Sequence, residues 1–390
     1  MNSVPLSVLK SLQWIKSQSA TLVAASGMSF VAIWLTKEGL GQQDVLFCLS
    51  AIYLVSLSAV MTRRAVALVK VLLVLSSLVA LIALYHGSVL LFGVALCVVV
   101  GSVQAVRDLF YVGLMSTYSK IAAKHEVNVS GVVATAMLIG VTISTVASPI
   151  LGVLAEWSKN VYALTLVSAC IVFSVSECRG VSADGISKSN VVPSYLHFLS
   201  SLAFAVSLST FYARYFLLPM GLIKLSELYG FGDYIFVVAG SLLGLVSLLG
   251  FAINAKKSSC VRTEMVKGLI MTLLTCFVLA ASVIFLDGSY QVIASVLFVL
   301  TYLSLEYYSK VWTVTFVSRL NTMSESLSSP SSSYIVFSRY KALGGFLSFA
   351  LAGVWVGSVS VEVIGLVFSS LVLAYCFPVI WARLDEIKAA

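Results

Sequence analysis

Charge is the scarcest property of this chain. Lys and Arg number 24 and Asp and Glu 16 among 390 residues, 10% in all. A soluble domain carries about a quarter charged residues, because a folded globule needs a polar surface. A water-soluble globule of this size is therefore excluded. Histidine is scarcer still: His86, His125 and His197 stand far apart, without metal-ligand spacing. No HExxH, GxSxG or Walker sequence occurs. The convergent nucleophiles, metal ligands and nucleotide cradles of catalysis are thus missing. The chain reads as a non-enzyme without a cofactor, and ATP drive within it is excluded. The seven cysteines include no CxxC pair. Cys48, Cys97, Cys170, Cys276 and Cys376 lie in apolar blocks and read as small buried hydrophobes. The segment Met1–Gln13 lacks the long apolar core of a cleavable signal.

Long hydrophobic runs, in contrast, are abundant. Apolar residues make up 60% of the chain and come in blocks such as Val132–Val153, Leu269–Leu286 and Val363–Ile380. A helix crossing a bilayer needs roughly 20 such residues in succession. Twelve spans follow: Ser17–Thr36, Val45–Met61, Ala65–Tyr85, Val89–Val112, Ser130–Ala155, Val161–Ser176, Leu196–Leu218, Tyr234–Asn254, Val266–Leu286, Tyr290–Phe316, Tyr334–Val356 and Val361–Ala382. His86–Ser88 and Asp287–Ser289 must then be tight hairpins. The expected fold class is an all-α integral membrane protein.

The net charge of +8 sits between the apolar blocks. It therefore reads as loop charge that orients the chain rather than as a nucleic-acid footprint. With the N-terminus inside, the cytoplasmic loops and ends hold Lys10, Lys16, Arg63, Arg64, Lys120, Lys124, Arg179, Lys256 and Arg319, among others. The outside loops hold Lys37, Lys159 and Lys224. An even span count puts both termini in the cytoplasm. The longest polar break, Cys178–Pro193, follows the sixth span. Residues 1–177 and 196–390 then form two six-helix bundles related by a pseudo-twofold, with 178–195 as a cytoplasmic linker.

A charge at mid-bilayer costs about 2.5–3.5 kcal/mol even on the lenient insertion scale, so it faces a wet cavity or a partner. Arg107 and Asp108 fall in the fourth span, with Gln104 within reach on the helix surface. They read either as an interface pair or as a cavity cation and a proton carrier. Glu306 and Lys310 have the favourable i, i+4 order, and Tyr302 continues their stripe. They read either as a self-satisfied pair or as a carboxylate whose proton affinity follows cavity water and substrate. Arg214 lies in Ser207–Tyr215, a run too polar and aromatic to face lipid, with Thr210 one turn before it. Arg offers a rigid fork for oxyanions; snorkelling to the interface is the alternative. Arg339 and Lys341 open the eleventh span as interface anchors or as positive potential at a cavity mouth. Tyr53 is a further cavity-lining residue.

The substrate set is therefore Arg214, Arg107, Tyr53, Thr210, Tyr302, Arg339 and Lys341, with Asp108 and Glu306 as proton carriers. Its excess of cations suits an anionic, oxygen-rich solute.

The fifth span reads Ser144-Thr-Val-Ala-Ser148-Pro149-Ile-Leu-Gly152. Pro149 removes one backbone hydrogen bond and bends the helix, while Ser148 and Gly152 permit close helix approach. A kinked packing helix accounts for these residues too. The loop after the second span carries Arg63 and Arg64 among Ser58, Thr62 and Ala65. With the two-bundle layout, these features resemble the major facilitator superfamily. The fifth-span stretch is similar to the Gly/Ser-Pro-x-x-Gly signature of its exporters and looks most like the enterobactin-exporter branch. The loop keeps the basic pair of the superfamily's motif, while Ser58, Thr62 and Ala65 replace its Gly, Asp and Gly. The superfamily's fourth-span Arg is absent, with Cys97 in its place ahead of Gly101. The resemblance implies alternating access by two rocking bundles, gating through Pro149, Gly152, Arg63 and Arg64, and a siderophore as cargo.

The expected function is secondary active transport of a small polar, anionic, siderophore-like metabolite across the inner (plasma) membrane, as proton-coupled export. An importer of a siderophore, sugar acid or peptide fragment is the alternative, with a membrane-embedded enzyme or receptor more remote. The expected partners are the solute, the lipid bilayer and protons, with the chain acting as a monomer.

Overall fold

The computed structural model describes residues 28–60, 65–105, 158–175, 194–232, 234–256, 261–325 and 330–382. All regular structure among them is helical. In chain order the helices are α1 (Met28–Lys37), α2 (Gln42–Val60), α3 (Ala65–His86), α4 (Val89–Ala105) and α5 (Lys159–Val175). Then come α6 (Ser194–Tyr212), α7 (Leu218–Tyr229), α8 (Tyr234–Lys256), α9 (Val261–Phe285), α10 (Gln291–Glu325), α11 (Pro330–Trp355) and α12 (Val361–Ala382). Arg63, Arg64, Arg107, Asp108, Pro149 and Gly152 lie outside the described residues, as do the linker positions 178–193.

Four of these segments are long and apolar enough to cross a membrane: Phe198–Tyr229, Val266–Phe285, Gln291–Ser309 and Val361–Ile380. The exposed surface agrees with a bilayer solvent. Helix α3 turns Val71, Leu75, Leu78 and Ile82 outward and buries Ser76 and Ser77. In water that orientation would be inverted. In lipid it is the stable one, because hydroxyls find backbone partners inside. Ser77, for example, donates to the Val74 carbonyl at 2.8 Å.

Both expected hairpins are present. Gly87 takes a left-handed φ of 72°, and Ser88 N–H donates to the Ala83 carbonyl at 2.9 Å. Residues 286–290 turn α9 into α10. The seventh span differs from expectation. Its expected end is Leu218, but the rod continues to Tyr229 and ends at Gly230, φ 67°. Lys224, expected in a loop, is therefore on a helix.

Small residues set the packing. Helix α11 lies against both α2 and α6; α9 contacts α10 and α12; α1 rests on α2 and α7. Gly344 meets the Phe204 backbone, and Gly345 meets the rings of Tyr53 and Phe211. Without Cβ atoms these positions let helices from distant parts of the chain approach closely. They bring the central polar residues together.

Candidate substrate site

The site begins with a fault in the 194–229 rod. Ala213–Leu217 form a π turn between α6 and α7, and the Leu218 N–H donates to the Ala213 carbonyl five residues back. Pro219 explains its place. In a regular helix Pro219 would supply no N–H, and its ring would strike the carbonyl of residue 215. Widening the preceding turn removes that conflict and lets the helix run on. Arg214 and Tyr215 lie inside the widened turn.

Arg214 finds its partner on α10. Its Nη2 donates to Glu306 Oε1 at 2.8 Å and lies 2.6 Å from Oε2. The Glu306 side chain is 2% exposed and that of Arg214 19%. Arg214 is 10 residues before Lys224, about 15 Å along the rod. The pair lies close to the middle of the apolar segment Phe198–Tyr229. A single guanidinium nitrogen serves both oxygens; Nη1 and Nε take no partner among the described residues. Glu306 thus pairs across helices with Arg214; the Lys310 side chain lies outside the described residues. Of the two expectations for Arg214, the inward one describes its position: it is bound to Glu306 of α10.

Aromatic rings surround the pair. Tyr215, Tyr53 and Tyr302 all lie within electrostatic reach of Arg214. Tyr53 of α2 stacks on Phe211 with centroids 5.0 Å apart, and on Phe349 of α11 at 5.8 Å. Phe211 touches Tyr215 at 5.7 Å. Lys341 Nζ lies 5.6 Å from the Phe211 centroid, and Arg214 Cζ lies 5.6 Å from that of Tyr215. Arg214, Glu306, Tyr53 and Lys341, far apart in sequence, therefore meet around Phe211 and Tyr215.

Other expected residues are placed differently. Tyr302 donates to the Ala239 carbonyl at 2.6 Å, which ties α10 to α8. Thr210 donates to the Val206 carbonyl of its own helix at 2.8 Å. Arg339 is half-buried on α11, but two residues from Lys341 puts it about 200° round the helix. The two cations therefore do not share a face. Phe349 was missed by sequence reasoning, and Phe211 and Tyr215 were noted only as part of the aromatic run Ser207–Tyr215, without a site role. The i, i+3, i+4 spacing of Phe211, Arg214 and Tyr215 was the available signal.

A second cluster was also missed. Lys224 Nζ lies 2.6 Å from Asp287 Oδ2 and 3.1 Å from Glu362 Oε1. It joins α7, the α9–α10 hairpin and the start of α12. Tyr212 donates to the Val361 carbonyl nearby at 2.7 Å. Among the described residues no group of three His, Cys, Asp or Glu is placed to hold a metal.

No family model matches the chain, and no curated protein does. Solved structures do. Two structures of the nucleoside transporter NupG, one of a variant with Asp replaced by Ala, are each 10% identical to it. They superpose with TM-scores of 0.60 for the variant and 0.59 for the other. Both alignments cover 96% of this chain, with 99% and 98% of the respective transporter chains. At that identity the likeness lies in the fold and carries no siderophore-exporter assignment. The chain thus shares its fold with the nucleoside transporter NupG, its described residues form helices, and four of its segments are long and apolar enough to cross a membrane.

Proposed function

We propose that this chain is a secondary active transporter, not an enzyme, that moves a small polar anion by alternating access. The observation that carries the reading is the Arg214–Glu306 pair, held 2.6 Å apart close to the middle of the apolar segment Phe198–Tyr229. Burying two charges is expensive and adds little stability over apolar packing. Ionisable groups within membrane-spanning segments usually mark a solute or ion pathway. The transporter fold supports the same conclusion.

Twelve spans in two bundles, 1–177 and 196–390, complete the proposal. They put both termini in the cytoplasm and the Lys224 cluster outside. A solute oxyanion takes the open edge of Arg214, with Tyr53 and Lys341 beside it. Arg107, Thr210 and Arg339 extend the polar path, and Tyr302 braces it. When the solute draws on Arg214, Glu306 loses compensation and takes up a proton; Asp108 is its counterpart in the first bundle. Pro149, Gly152, Arg63 and Arg64 supply the bend and the gate. The working direction is export from the inner membrane, with siderophore-like acids as one cargo class.

A nucleoside is the second reading, favoured by the solute named for the fold relatives. Counterflow in proteoliposomes separates the two. Organic acids should exchange and respond to a proton gradient, while nucleosides should not. Exchange of nucleosides alone favours the second reading; exchange of neither class across a broad panel rejects carrier function.

A further inference from the structure

Phe211 and Tyr215 are half-buried, while Tyr212 and Phe216 beside them are fully buried. Both rings are walled by other helices. Phe211 packs on Tyr53 of α2 and against Gly345 of α11, and Arg214 between them in sequence is bound to α10. These neighbours leave part of each ring uncovered. Each ring has a cation 5.6 Å from its centroid, and the two rings touch. Ring faces and oxyanion donors are therefore offered side by side. A small saturated solute would use only the donors. A flat solute would gain offset stacking as well, which favours aromatic partners beyond their area.

We propose that the solute is a flat-ring organic acid. Its ring lies against Phe211 and Tyr215, and its carboxylate takes the Nη1–Nε edge of Arg214 as a bidentate pair. Lys341 adds positive potential on the other side of Phe211. Phe211 is then a specificity-determining residue. This inference rests on the carrier reading above, and it names the substrate class.

The test is calorimetric binding to the full chain in detergent with benzoate, benzamide and cyclohexanecarboxylate. These probes share size and differ in charge or in ring flatness. Benzoate should bind about fivefold or more tighter than either. Phe211→Leu should collapse the benzoate-to-cyclohexanecarboxylate ratio toward one, and Phe211→Tyr should keep it. Arg214→Lys, which retains a charge for Glu306 but not the fork, should collapse the benzoate-to-benzamide ratio. Should Phe211→Leu not fold, Tyr215→Leu must lower the same ring preference. Equal binding of the three probes, no benzoate binding, or ratios indifferent to these changes would overturn the inference. Exchange of benzenesulfonate, which cannot leak across as a neutral acid, separates the two levels. Ring-dependent binding without exchange sinks the carrier reading and leaves the site standing. Exchange of non-aromatic acids without benzoate binding does the reverse.

Discussion

Arg214–Glu306 and Lys224–Asp287–Glu362 are built from the same chemistry, with shortest contacts of 2.6 Å in both. They differ in surroundings. Glu306 is 2% exposed, whereas Asp287 is 64% exposed. Around so buried a carboxylate little water can replace a lost partner, so removing one charge strands the other. At the helix ends water and salt screen the attraction, and a lost partner is replaced at little cost. Distance alone therefore says little about what an ion pair contributes. The outer cluster fastens helix ends; the inner pair keeps two charges available in a place where charges are otherwise costly.

The largest test of that contrast is Glu306→Gln. Stranding Arg214 should destabilise the protein by about 3 kcal/mol, seen as a lower unfolding temperature in detergent, and should end solute exchange. Exchanging both Arg214 and Glu306 for Gln should recover most of the stability while exchange stays lost. If the single variant unfolds like the parent, the inner pair is screened and the contrast disappears.

A smaller loss is expected from Gly345→Leu, which tests packing at the same centre without touching charge. A Cβ there would stand 2.6 Å from the Tyr53 ring and 2.8 Å from that of Phe211. Overpacking should cost about 1–3 kcal/mol, with the aromatic wall displaced. Tyr212→Phe comes next. It deletes the bond to the Val361 carbonyl and should cost about 1 kcal/mol, measured by the same unfolding assay. Asp287→Asn should have the least effect, below about 1 kcal/mol and shrinking as salt rises. Lys224 keeps Glu362 at 3.1 Å in that variant. A salt-insensitive loss larger than that of Tyr212→Phe would show that the outer cluster is shielded like the inner one.

Much of the helical layout was legible beforehand. Val361–Ala382 agrees at both ends with α12, and the 86–88 and 287–289 turns lie where two apolar runs nearly abut. The seventh span runs past its expected end at Leu218 to Tyr229, and the π turn that lets it pass Pro219 leaves no composition signal. The site was half legible. Arg214, Glu306, Tyr53 and Lys341 stood out because polar groups in apolar runs need a reason. Their mutual arrangement did not, since 92 residues separate Arg214 from Glu306.

By itself, then, the sequence determined the solvent. A chain with so few charges and such long apolar runs must satisfy its backbone within helices and turn its side chains to lipid. Tertiary structure decided which polar residues meet. Helical periodicity fixes the face a residue occupies on its own helix, but the neighbouring helix is chosen by glycine contacts and ring packing distributed over the whole chain. Glu306 therefore answers Arg214 across helices, and Lys224 closes on Asp287 and Glu362, through packing that no local spacing encodes.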